Sequence, residues 1–114
     1  MIYTSYFSNW RNFPEGFKLV SISHHNPDGA TKYFKARPLN PPYWLWKAYK
    51  YDGLTEDEYR KHYTEEVLSK LNPEKMKKHL DNSILLNYEK KGDFCHRDLV
   101  LEWLNENGIE AEEL

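Results

Sequence analysis

The chain has 114 residues, 39% hydrophobic and 16% aromatic, with sixteen Lys and Arg set against eighteen Asp and Glu for a formal charge of −2. That length suits a single domain, residues 1–114, with core enough to fold without staples. The charge balance excludes the basic footprint of a dedicated duplex-DNA binder, and one cysteine, Cys95, excludes an internal disulfide and a cysteine zinc knuckle.

Met1–Tyr6 is β-branched and aromatic and predicts a first strand; it carries neither a basic leader nor an apolar run of signal length. No later stretch is long enough to span a bilayer, so a cytoplasmic protein without membrane contact is expected. A polar, aromatic loop follows to Asn12, and Pro14 and Gly16 mark the turn before a second strand over Phe17–Ser23. Residues 24–42, with His24, His25, Pro27, Gly29, Pro38, Pro41 and Pro42, read as a long proline-stiffened loop.

Tyr43–Lys50 predicts a short helix, broken at Asp52-Gly53, with Tyr43, Trp44 and Trp46 capping the core. Thr55 and Glu58 form a capping box for a helix that aligns Tyr59, Tyr63, Val67 and Leu71 on one face. Asn72-Pro73 ends it and starts a shorter helix with Met76 and Leu80 inward. Ser83–Tyr88 is an apolar run between turn signals, which favours a buried, central parallel strand. After Glu89–Gly92, Asp93 is the expected N-cap of a helix over Phe94–Asn105. Its buried face is Leu99, Val100, Trp103 and Leu104, and Gly108 is its C′ residue. Ile109–Leu114 is either an edge strand or an acidic tail. Strands alternating with helices make this an α/β protein with a small, mostly parallel sheet of three to four strands flanked by helices.

The strand–loop–helix unit around Glu89 is where chemistry is expected, because open α/β sheets bind ligands beyond the carboxyl ends of their strands. Cys95, His96 and Arg97 would open the last helix, whose unpaired N–H groups and dipole favour anions. A thiol there, beside Arg97 and a protonated His96, should ionise more easily than usual, and the alternative for Cys95 is a small buried packing residue. Arg97 suits a carboxylate or phosphate, and the acids Asp98 and Glu102 are its alternative partners. Glu89 suits a general acid or base.

Tyr88-Glu89-Lys90-Lys91-Gly92-Asp93-Phe94-Cys95-His96-Arg97, followed by Leu99-Val100 and Glu102-Trp103-Leu104, resembles the signature of domain-of-unknown-function family 488. Ile2–Phe7, Asn9-Trp10-Arg11 and Leu19–Ser23 are similar to its small members. The resemblance implies a compact α/β fold and a shared site at Cys95–Arg97, without a settled activity. Asn87 occupies a position where the family commonly has a cysteine, so Cys95 stands alone in any thiol chemistry.

Around that segment the candidate ligand-binding residues are Asn9, Trp10, Arg11, His24, Tyr88, Glu89, Cys95, His96 and Arg97. Trp10 and Arg11 suit stacking on a planar anion, with core packing the alternative for Trp10. Adjacent His24 and His25 point apart on extended chain, so a metal site is not expected, nor a cofactor: no Walker loop or dinucleotide-type glycine run occurs. Lys32, Lys35 and Arg37, interleaved with Tyr33 and Phe34, read as a solvated loop. The expected function is capture of an anionic, nucleotide-like or phosphorylated small molecule. The alternatives are an enzyme on such a ligand, with Cys95, Glu89 or His96 as the catalytic group, and an interaction module or homodimer using the aromatic residues 41–51 or the acidic helix 56–71.

Overall fold

The computed structural model describes residues 1–27 and 33–114. Five strands form one parallel sheet: β1 (Ile2–Tyr6), β2 (Lys18–Ser21), β3 (Phe34–Lys35), β4 (Ser83–Asn87) and β5 (Ala111–Glu113), in spatial order β3-β2-β4-β1-β5. The chain is thus α/β as its pattern predicts, with more strands than the expected three to four. β4 sits at the centre, pairing Ser83–Asn87 with Ile2–Tyr6 on one side and Ser83–Leu86 with Lys18–Ser21 on the other. All five of its residues are buried, which explains the unbroken apolar run in the sequence.

Four helices follow the sequence signals: α1 (Tyr43–Tyr51), α2 (Glu56–Glu66), α3 (Pro73–Leu80) and α4 (His96–Glu106). Thr55 and Glu58 close the capping box on α2, and Asn72 caps α3 with Pro73 at its first position. Leu45, Tyr59, Tyr63, Met76, Leu80, Leu99, Val100 and Leu104 join Ile2, Val20 and Leu85 in one core, so all four helices cover one sheet face. Ile84 and Leu86 point to the other face, where Phe7, Tyr3, Phe13, Phe17, Leu19 and Tyr33 cover them. The aromatic excess of the amino-terminal half therefore replaces a second helical layer.

The predicted loop over 24–42 contains β3 at the sheet edge and a 3-10 turn over Arg37–Leu39. A two-residue strand leaves no periodic pattern to read, because pairing with Val20 and Ser21 alone defines it. Within that span, Gly29 and Lys32 lie outside the described residues. β2 is shorter than Phe17–Ser23. The loop after β1 is a 3-10 helix, Phe7–Asn12. α1 buries Leu45 alone: Tyr43 is 61% exposed and Trp44 45%, so neither caps the core. The last segment is an edge strand, hydrogen-bonded beside β1 in register Ile2–Ala111. None of the described helices is long and apolar enough to cross a membrane.

Candidate functional site

The parallel register brings the carboxyl ends of β1, β2 and β4 to one rim, and the chain leaves it through the 3-10 helix, residues 22–27 and residues 88–95. Here α4 begins at His96, not Phe94, and its N-cap is Cys95 in extended conformation (φ −160°, ψ 166°), not Asp93. The reason is a tight turn first: the Asp93 N–H bonds the Lys90 carbonyl, with Gly92 in left-handed conformation (φ +99°), so helical dihedrals start only after Cys95.

That two-residue shift changes the electrostatics expected of the trio. Arg97 does not face solvent. It is 1% exposed, with Nε and Nη2 donating to the two carboxylate oxygens of Glu113, both at 3.0 Å. Its Nη1 donates to the Asn87 side-chain oxygen and, at 2.6 Å, to the Glu89 carbonyl. Thr4 Oγ1 donates to the same Glu113, and the Tyr6 ring lies 5.8 Å from the guanidinium. The fork is occupied by an internal carboxylate, and its partner is neither Asp98 nor Glu102, which bonds Arg60 instead. Arg97 ties β5 to β4 and α4; it offers little to an external anion.

His96 is buried too. Its Nε2–H donates to the Ile22 carbonyl at 2.8 Å, and its ring lies 5.7 Å from that of Tyr63. Burial lowers its pKa to about 4 despite that bond, so at neutral pH it is an uncharged imidazole rather than a protonated one. Cys95 is 5% exposed; burial raises its thiol pKa, and Asn87 and Arg97 pull the other way without winning. The thiol rests protonated, contrary to the expectation from its place at a helix start, because desolvation outweighs the helix end.

Beside these residues the protein is open. A cavity of about 270 Å³ is walled by Tyr43, Trp46, Tyr88, His24, His25 and Lys50, with Glu89 and His96 at its floor. It continues into an inner hollow of about 320 Å³ bordered by Trp46, Tyr49, Tyr59, Phe94, Cys95 and Glu89. Trp46, Lys50, Glu89 and His96 belong to both, so the two halves form one cleft. Its walls are ring surfaces. Tyr43 and Trp46 stand 5.6 Å apart, and Phe94 meets Tyr49 and Tyr59 at 5.5 Å each. The Lys50 ammonium lies 4.9 Å from the Trp46 ring centre. His24 donates from Nε2 to the Pro41 carbonyl at 2.6 Å, which ties down the chain just before Tyr43 opens α1.

Of the nine candidate residues, the cleft gathers His24, Tyr88, Glu89, Cys95 and His96, with Arg97 behind it. Asn9, Trp10 and Arg11 do not line it. Asn9 is engaged with Ser5 and Asn12, while Trp10 is 57% exposed with the Arg11 guanidinium 4.9 Å from its ring, so Trp10 is no core residue. Lys50, Tyr49, Tyr59 and Phe94 line the cleft without having been expected there, and Trp46 borders it instead of capping the core. A signal existed: Tyr43, Trp46 and Lys50 recur at i, i+3 and i+7, one stripe of a helix whose apolar content is too high for the single buried Leu45. Among the described residues no group of three or more His, Cys, Asp or Glu stands together in a way that could hold a metal ion.

Fold and cleft define a small parallel α/β domain with a ligand-sized hollow at the strand carboxyl ends. The sequence model of the family described as "Domain of unknown function DUF488" matches residues 9–104, and the chain belongs to that family. No curated protein and no solved structure matches it.

Proposed function

We propose that the protein captures an anionic, nucleotide-like small molecule, with the planar ring in the aromatic outer half of the cleft and the negative group beside Lys50. One observation carries this reading: Tyr43, Trp46 and Tyr88 surround a cavity whose rim supplies Lys50, His24 and His25 against one carboxylate, Glu89. Ring faces bind any planar ligand by stacking, and the ammonium selects for negative charge. The volume fits a single base-sized ring with part of its substituents. Arg97 supports the cleft from behind through the Glu89 carbonyl and takes no part in gripping the ligand.

A calorimetric titration with a panel of nucleosides and their 5′-phosphates tests it. At least one phosphorylated member is expected to bind, and to lose about tenfold in affinity in Lys50→Met, while the matching nucleoside is unaffected by that change. Trp46→Ala is expected to abolish both. If no member binds the wild-type protein, or if Lys50→Met binds the phosphate as tightly as the wild type does, the reading fails.

The alternative, an enzyme on a similar ligand, draws support from Cys95 and Glu89 both bordering the inner half. With the thiol at rest protonated, such a reaction needs the sulfur to ionise in place.

A further inference from the structure

Asn87 carries a feature that ligand capture leaves unexplained. The side chain is wholly buried and its oxygen is held by Arg97, which fixes which way the amide faces. Its amide nitrogen makes no hydrogen bond of ordinary geometry, and the group it acts on is the Cys95 sulfur, where it favours the ionised form. A buried N–H left without an acceptor is destabilising, because it has given up its hydrogen bonds to water for nothing. A neutral thiol is a weak acceptor, whereas a thiolate is a strong one. The donor therefore gains its full partner only when the sulfur carries charge, and that sulfur borders the inner half of an open cleft.

We propose that Cys95 is a thiol–disulfide exchange site, that its substrate is a small anionic disulfide entering the cleft, and that Asn87 is the positioning donor for the attacking sulfur. In the step, the Cys95 S–H proton leaves to solvent past Glu89. The thiolate attacks one sulfur of R–S–S–R, that S–S bond breaks, a mixed disulfide forms on Cys95, and R–S⁻ departs with the electron pair. Cys95 is oxidised and the departing sulfur reduced, so no further oxidant is needed. The walls favour this class of electrophile. Divalent sulfur packs well at ring edges, and Tyr49, Tyr59 and Phe94 supply them, while Lys50 at the junction of the halves attracts an anionic substituent. The charged groups acting on the sulfur oppose each other: Arg97 favours the thiolate and Asp98 disfavours it. Tyr49, Tyr59 and Tyr63, on the helices packed against it, have raised pKa values and stay neutral, as does His96.

The exchange does not rest on nucleotide capture, since its rates are measured without any nucleotide. Folded protein is mixed with 5,5′-dithiobis(2-nitrobenzoate), an aromatic anionic disulfide, and with cationic cystamine. Each rate is divided by that of a free N-acetylcysteine thiol. The expected result is one equivalent of aryl thiolate released per chain, first order in reagent, with the normalised rate at least tenfold higher for the anionic disulfide. Asn87→Asp preserves shape and the Arg97 partner but replaces the donor with a negative oxygen. It is expected to slow the reaction about tenfold at neutral pH and to move its pH profile upward. Three results overturn the proposal: a rate independent of reagent concentration, which means reaction through unfolding; no preference for the anionic disulfide; or the same rate and profile in Asn87→Asp.

Discussion

His96 shows how a single side chain couples this site to pH. Its folded pKa of about 4 lies below the ordinary 6.5, so the unfolded chain binds the proton more readily. Stability from this group is therefore complete above pH 6.5 and falls as pH drops toward 4, by about 3 kcal/mol. His96→Gln keeps a donor for the Ile22 carbonyl and cannot titrate. Urea denaturation at pH 7 and pH 4.5 is expected to show a smaller acid loss in His96→Gln than in the wild type; equal losses would mean that His96 is not the buried neutral base described. The residue's identity was legible in the sequence, its state was not. Cys95-His96-Arg97 reads as a cationic helix start by type and position alone, and only the burial supplied by Tyr63, Ile22 and Glu113 reverses that electrostatics.

At the scale of elements, β5 is the smallest piece with the strongest tie. Three residues pair with β1, and Glu113 holds Arg97 through two parallel hydrogen bonds with side-chain exposures of 15% and 1%. Removing one member of a buried ion pair costs about 3–5 kcal/mol, because the other charge is left desolvated. Glu113→Ala is expected to lose about 3 kcal/mol and to raise hydrogen exchange at Ala111–Leu114 well before the amides of β4. Uniform deprotection of both strands would contradict a local latch. Sequence left this segment open between strand and tail, since Ala-Glu-Glu has no strand pattern and its pairing is set by a contact sixteen residues away. The opposite case is α2, where Thr55 and Glu58 announce the helix start in local chemistry alone. Thr55→Ala is expected to lower stability by about 1 kcal/mol in thermal denaturation, without altering ligand affinity, since α2 meets the cleft only through Tyr59.

On the level of the whole molecule, the sheet was readable because β4 announces a buried centre and each helix carries its own caps. The cleft was readable only in part. Glu89 and Cys95 fall at the strand end where ligands gather, but its aromatic and cationic wall comes from α1, some forty residues earlier. Nothing in the spacing of either segment tells that they meet. The amino-terminal Trp10-Arg11 pair is a second stacking surface by composition, exposed and not lining the hollow, and it is the natural competitor for any planar anion. The four tryptophan indole N–H signals separate the two sites in one heteronuclear NMR titration with the tightest-binding nucleotide of the panel. The Trp46 indole signal is expected to shift and saturate while that of Trp10 stays in place. Saturable movement of the Trp10 signal with Trp46 unmoved would contradict capture in the cleft.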